Sequence, residues 1–236
     1  MKIIGIIPAR MESRRLPGKP LINIRGVSMI RRVYESVLNS NLFDKIIVAT
    51  PNQEIYDHVS EFGKTVMTSN KPLNGTERVF EAYQKLDDKF DFIVNVQGDE
   101  PFIKKEQLSD IISICKKPNK ICTLVKKEEY SDNIERESVM KVVINSNNEA
   151  MYFSRSLIPY QTVKKNYLKH ICIYAYDPKT LKKIISLPES SLEKYESLEQ
   201  LRWLENGFKI NVKITNFDSF SIDTKEDLIL AENYIN

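Results

Sequence analysis

Apolar positions recur along the first hundred residues in two alternating periods. Ile3, Ile4, Ile6 and Ile7 form a near-continuous run, the pattern of a strand buried on both faces. Over 28–40, Met29, Ile30, Val33, Val37 and Leu38 recur at helical spacing. The alternation continues with a strand at 45–50, a helix at 54–62 and a strand at 64–68. A helix at 76–86, carrying Val79, Ala82, Tyr83 and Leu86, precedes a strand at 90–96 that stops at Gln97-Gly98-Asp99-Glu100-Pro101. This order predicts an α/β fold with a doubly wound, mostly parallel sheet and helices on both faces. Beyond residue 100 the pattern loosens. A helix at 106–115 and a strand at 120–125 lead to strands at 139–144 and 150–154, joined by the turn Asn145-Ser146-Asn147-Asn148. A strand at 170–176, one helix over 192–206 stopped by Gly207, and a strand at 209–214 follow. The last helix, 225–234, is capped by Asp223 or Thr224. No repeat or low-complexity linker interrupts the chain, so 1–236 reads as a single domain with a hairpin-bearing insertion near 125–180.

Composition narrows the class. With 236 residues, 42% hydrophobic and 28% charged, the chain can bury a large core and is not a disordered or disulfide-stapled protein. The 35 basic and 32 acidic residues leave +3, too small a balance to imply nucleic acid. Acidic and basic residues interleave and no aromatic–basic RNA signature occurs, so no nucleic-acid partner is expected. Three cysteines without a C-x-x-C, and two histidines, argue against a thiolate zinc site and suit a reducing compartment. The N-terminal apolar run is too short for a signal peptide, and no window approaches the ~20 apolar residues of a membrane span. A cytoplasmic location without membrane insertion is expected.

Candidate chemistry concentrates at strand ends, where ligands sit in doubly wound sheets. After the first strand, Arg10, Arg14, Arg15 and Lys19 are opposed only by Glu12. Prolines and Gly18 restrict this loop, so its cations and backbone amides suit a polyphosphate. The competing reading is a solvated surface turn. Neither G-x-G-x-x-G nor G-x-x-x-x-G-K-[ST] is present, which disfavours dinucleotide oxidoreductases and P-loop hydrolases. Asp99, after Gly98, stands where a hydrated Mg²⁺ is held by one or two carboxylates plus substrate phosphates. Asp223 offers a second carboxylate, with helix capping as the alternative.

Taken together, these stretches resemble the 3-deoxy-manno-octulosonate cytidylyltransferases over almost the whole length. The likeness rests on Ile7-Pro8-Ala9-Arg10, Arg15-Leu16-Pro17-Gly18-Lys19-Pro20-Leu21, Val48-Ala49-Thr50, Gly75-Thr76-Glu77-Arg78 and Asn95-Val96-Gln97-Gly98-Asp99-Glu100-Pro101. It continues in Tyr152-Phe153-Ser154-Arg155, Lys169-His170, Ile173-Tyr174-Ala175-Tyr176, Leu198-Glu199-Gln200-Leu201-Arg202 and Ile222-Asp223-Thr224. The resemblance implies attack by the anomeric hydroxyl of an acidic 3-deoxy-ketosugar on the α-phosphorus of CTP. It implies triphosphate contacts at Arg10, Arg15 and Lys19, and nucleotide contacts at Pro8, Ala9, Thr50, Gly75, Thr76, Arg78, Gln97 and Asp99. Lys19, Asp99, Asp223 and Arg10 match the catalytic positions, and Asp99 and Asp223 the ligands of Mg²⁺. One such ion would bridge the α-phosphate and the attacking oxygen, the other the leaving phosphates.

On the sugar side the resemblance implies Arg155, as a bidentate partner of the sugar carboxylate, with His170, Tyr174, Glu199 and Gln200 toward its hydroxyls. Read alone, His170 suits a structural histidine and Glu199 a solvated helix position; neighbours on a helix, Glu199 and Gln200 do not point the same way. The chain has Pro72-Leu73-Asn74 where the family usually has His-x-Ser, a departure shared with relatives that use an 8-amino octulosonate, and Lys225 where proline is usual. The resemblance also implies a homodimer built on the hairpin region. A CTP-binding regulator without catalysis is the reading from a different class, disfavoured by the presence of both aspartates.

Overall fold

The isoleucine run Ile3–Ile7 is buried throughout, and it forms β1 (Ile3–Pro8), the strand around which the N-terminal half is ordered. The computed structural model describes residues 1–13, 15–116, 120–218 and 220–234, so Arg14, one of the four loop cations, lies outside the described residues. The chain forms two compact units, 1–108 with 219–236, and 109–218.

In the first unit β1 is followed by the short pair β2 (Asn23–Ile24) and β3 (Val27–Ser28), then α1 (Met29–Asn39) and β4 (Lys45–Thr50). Next come α2 (Gln53–Ser60), β5 (Thr65–Met67), α3 (Gly75–Gln84) and β6 (Phe92–Asn95). The sheet order β6-β1-β4-β5 is parallel throughout, as the alternation of buried strands and amphipathic helices requires. Helix α1 starts where Ser28 accepts a hydrogen bond from the Arg31 amide, and it buries Met29, Ile30, Val33, Tyr34 and Val37. Its apolar stripe is the one read from the sequence, except that Leu38 is exposed.

The boundary between the units falls within α4 (Lys105–Ile114). The second unit continues with β7 (Ile121–Glu129), α5 (Asp132–Glu135), β8 (Lys141–Ile144), β9 (Ala150–Ser154) and β10 (Asn166–Tyr176). It ends with α6 (Pro178–Ile185), α7 (Ser191–Glu196), α8 (Gln200–Glu205) and β11 (Ile210–Thr215). Here β11 and β7 run parallel, while β10 pairs antiparallel with β7 and β8, and β8 with β9. The 145–148 turn therefore closes a true hairpin. The chain then returns to the first unit in α9 (Lys225–Tyr234).

One expected helix is two. The 192–206 segment breaks at Ser197, whose φ of 53° is left-handed, and the Leu198 amide turns back to the Glu193 carbonyl. A bidentate pair between Arg202 and Glu193 (2.5 and 2.6 Å) ties the two short helices together across the break. Among the described residues no helix is long and apolar enough to cross a membrane.

Candidate active site

The basic loop is built by its backbone. The Ala9 amide donates to the Ala49 carbonyl and continues the β1–β4 ladder for one more residue. The loop then folds back so that the Gly18 amide meets the Met11 carbonyl at 3.1 Å. Gly18 has φ 68°, a left-handed turn suited to glycine, and it starts a 3₁₀ turn at Lys19–Leu21 with Pro20 inside it. Asn52 holds the near side, accepting from the Met11 amide at 3.0 Å and donating to Glu12 at 3.3 Å. Leu16 anchors the far side in an apolar cluster with Ile24, Met29, Ile222 and Ala231.

That cluster explains how Asp223 reaches the loop. Ile222 is fully buried in it, and its amide donates to the Asp99 carbonyl at 3.0 Å. Both aspartates are thereby held beside Lys19. The Lys19 ammonium lies 2.6 Å from Asp99 Oδ2 and 2.9 Å from Asp223 Oδ1, while Arg15 Nη2 lies 2.9 Å from Asp223 Oδ2. Burial alone would lower the Lys19 pKa, but the Asp99 and Asp223 carboxylates outweigh it and hold it above the ordinary lysine value.

The cap of α9 is resolved in favour of Thr224. Its Oγ1 accepts from the Asp227 amide at 3.2 Å, and Asp227 Oδ2 accepts from the amides of Asp223 and Thr224, each at 2.9 Å. The Asp223 carboxylate is thus left to the cations.

Lys19, Arg15 and Asp99 border a cleft of about 750 Å³, within the range of small-molecule sites, whereas Asp223 is not part of its wall and reaches it through Lys19 and Arg15. Pro8, Ala9, Arg10, Arg15 and Lys19 line one side; Gln97 and Asp99 line the end of β6. Gly98 between them is required by contact, because a Cβ there would meet the Pro8 carbonyl oxygen at 2.7 Å. Across the cleft stand Gly75 and Arg78 of α3. Asn74 caps that helix by accepting from the Glu77 amide at 2.9 Å, and the helix start adds positive potential. The Arg78 guanidinium is buried and donates to Thr68 Oγ1 at 2.7 Å and the Ser69 carbonyl at 3.1 Å. Burial first, then Arg10, lowers its pKa.

Two expected nucleotide residues lie elsewhere. Thr50 is fully buried and its hydroxyl accepts from the Asn52 amide at 3.2 Å, so it shapes the loop from beneath and is not part of the cleft wall. Thr76 is buried in the first turn of α3. Conversely, Glu12, Ser13 and Asn74 border the cleft and are not among the expected site residues. Asn74 carried a legible signal, as an N-cap type three residues before a glutamate; Glu12 and Ser13 carried none beyond their place in the loop.

The five sugar-side candidates all belong to the second unit. His170 is buried, its Nε2 2.9 Å from Thr123 Oγ1, and Phe153 and Tyr174 pack on its ring with centroids at 5.2 and 5.3 Å. Burial pushes its pKa down to about 3, so it is neutral at physiological pH. Among the described residues, the Tyr174 hydroxyl and Gln200 Nε2 are buried without a hydrogen-bond partner. Glu199 is half-buried at the head of α8, where Gln200 turns inward. Arg155 is half-buried, and its guanidinium donates to the carbonyls of Glu137, Glu196 and Ser197 at 3.0, 2.9 and 3.4 Å.

A family model described as cytidylyltransferase matches residues 4–214. The chain belongs to the cytidylyltransferase family. It is 50% identical over 242 residues to the 3-deoxy-manno-octulosonate cytidylyltransferase of Parabacteroides distasonis, covering 97% of this chain and 96% of the relative. It is 46% identical to the like-named protein of Cytophaga hutchinsonii, over 97% and 96% of the two chains. Among solved structures, CMP:2-keto-3-deoxy-manno-octonic acid synthetase complexed with CTP superposes with a TM-score of 0.93 at 36% identity, covering 100% of this chain and 98% of that one. The α/β fold read from the alternating pattern and the membership implied by the motifs are both upheld.

Proposed function

We propose that this cytidylyltransferase joins CTP to 3-deoxy-manno-octulosonate, giving the CMP-sugar and pyrophosphate. The observation that carries the reading is the Lys19 ammonium held between Asp99 and Asp223 in a cleft walled by cations and the start of α3. In the reaction the anomeric oxygen forms a bond to the α-phosphorus. The bond from that phosphorus to the oxygen bridging the β-phosphate breaks, pyrophosphate leaves with the electron pair, and the hydroxyl proton is lost to solvent. Positioning and charge neutralisation carry such a step. Arg10 and Arg15 grip phosphate oxygens as forks, and Lys19 acts as a point charge. Gln97, Gly75 and the loop held by Arg78 take the cytidine end. Neutral His170, with Tyr174, Glu199 and Gln200, takes the sugar hydroxyls, and Arg155 the sugar carboxylate.

Asp99 and Asp223 would hold Mg²⁺. They suit the ion because they already share one cation, with carboxylate oxygens as hard donors. When bound, magnesium supplies charge neutralisation at the phosphates. Exposed Met151, Tyr160 and Val163 support a homodimer formed through the hairpin region, and CTP as a substrate supports a cytoplasmic location.

A second substrate, the 8-amino-3,8-dideoxy relative, is favoured by Pro72-Leu73-Asn74, which offers no histidine before α3. Pyrophosphate release from CTP with a panel of ketosugar acids tests both. The highest kcat/KM is expected with 3-deoxy-manno-octulosonate. A clear preference for the amino sugar moves the assignment to it, and no release with any acid overturns the reading.

A further inference from the structure

Lys141 on β8 has no exposed surface, a rare state for an ammonium. Its Nζ donates to the carbonyls of Arg136 (3.1 Å), Val139 (2.6 Å) and Arg155, so each of its three N–H groups has an acceptor. Such a group is an anchor, and what it anchors is the backbone at Arg155, just past the end of β9.

From that point Arg155 and Glu196 grip each other twice. Glu196 Oε2 accepts from the Arg155 amide at 2.9 Å, and Oε1 accepts from the Ser154 hydroxyl at 2.6 Å. In return Arg155 Nε donates to the Glu196 carbonyl at 2.9 Å and Nη2 to the Ser197 carbonyl. Three of the five guanidinium N–H groups are committed to carbonyls, one of them to Glu137. The clasp therefore takes up main-chain acceptors at the break between α7 and α8. Immediately beyond that break Gln200 enters α8, buried, with Nε2 unpartnered. Trp203, one turn further, packs edge-on to Tyr174 at 5.2 Å, and both Trp203 Nε1 and the Tyr174 hydroxyl are also buried without hydrogen-bond partners among the described residues. Gln200 and Trp203, three apart on α8, share a helix face, and orphaned donors there call for a polar partner, a ligand or water.

We propose that Lys141 and Glu196 are positioning residues, which through the Arg155 clasp fix the α7–α8 turn and aim the Gln200 amide at the acidic sugar. The proposal rests on the octulosonate reading given above. It assigns Arg155 a structural task for most of its donors, leaving two N–H groups for a ligand among the described residues.

The test uses Glu196→Ala, Glu196→Gln and Lys141→Met in the full chain. KM for 3-deoxy-manno-octulosonate and for CTP are measured separately, together with acrylamide quenching of Trp203, the single tryptophan. Glu196→Ala and Lys141→Met are expected to raise the sugar KM about tenfold or more and leave the CTP KM within about twofold. Trp203 quenching should rise in the same variants. Glu196→Gln should recover most of the loss, because its carbonyl can accept from the Arg155 amide while Ser154 rotates to accept from its NH₂. A sugar KM unchanged in folded Glu196→Ala overturns the proposal, as does a parallel rise in both KM values. If Lys141→Met does not fold, the Glu196 pair decides. If the wild-type chain turns over no octulosonate, the substrate reading fails instead, and the clasp is then judged by Trp203 quenching alone: unchanged quenching in Glu196→Ala overturns it.

Discussion

Lys19 is a cation shared by two carboxylates, and its proton is held more tightly than in a free lysine because Asp99 and Asp223 outweigh burial. At neutral pH it is a charge donor and not a base. Among the described residues, Lys19→Met should leave Arg15 as the remaining ion-pair partner of Asp223, with two outcomes. The CTP KM should rise roughly 10- to 100-fold, the worth of about 1.5–3 kcal/mol for a hydrogen bond to a charged group. Binding of Mn²⁺ alone, followed by electron paramagnetic resonance, should become tighter, because the ammonium no longer competes for the same oxygens. An unchanged CTP KM would remove Lys19 from the phosphate site. Asp223→Asn separates capping from chemistry. Thr224 and Asp227 carry the cap, so thermal stability should change by less than about 1 kcal/mol while kcat falls about 100-fold or more, near 2.7 kcal/mol in the barrier. Thr224→Ala should do the reverse, costing about 1 kcal/mol of stability and sparing turnover. Turnover of Asp223→Asn within a few-fold of wild type would leave the second carboxylate without a role in the reaction.

At the scale of elements, the ends of β1 and β6 approach because position 98 lacks a Cβ. Gly98→Ala would place that carbon 2.7 Å from the Pro8 oxygen, backbone against backbone, where neither side can rotate away. Chemical denaturation should show a loss of about 1–3 kcal/mol, and CTP binding should weaken because Pro8, Gln97 and Asp99 all border the cleft. Wild-type stability would mean the strand ends can separate freely. The same elements show what a single sequence discloses. Strands β1 and β4 were legible because they are buried on both faces and so lack polar interruptions. The basic loop was legible because like charges crowd there against chain-stiffening residues. The α7–α8 break was not, since it depends on Arg155 and Arg202 capturing acceptors from distant positions, whereas the local apolar pattern runs on unbroken. The start of β10 at Asn166, four residues before the apolar pattern places it, is set the same way: Asn166 and Lys169 interrupt the pattern around Tyr167 and Leu168, and pairing with β7 holds the stretch. Asn52, which pins the loop at Met11, looks locally like a turn residue and only the tertiary contact reveals its task.

For the molecule as a whole, burial of ionisable groups sets how stability responds to acid. His170 is held neutral, its pKa pushed from 6.5 to about 3 by burial. Between those values the unfolded chain takes up a proton at this residue that the folded chain refuses. Stability is therefore fully present above about pH 6.5 and falls as the pH drops toward 3, by roughly 1.4 kcal/mol for each pH unit well inside that window. Glu12, Glu81 and Asp218 are shifted downward as well, but from ordinary carboxylate values of 4.5, 4.5 and 3.8, so the stability they contribute is lost only at lower pH. The interval from pH 6.5 to 5 thus isolates the histidine from these carboxylates. His170→Gln can keep a partner for Thr123 Oγ1 while removing the titration. Urea unfolding at pH 7, 6 and 5 should show wild-type stability declining over this range and a markedly flatter profile for His170→Gln. Parallel slopes for the two proteins would mean that His170 accepts a proton in the folded state, and the neutral, buried imidazole assigned to the sugar side would have to be abandoned.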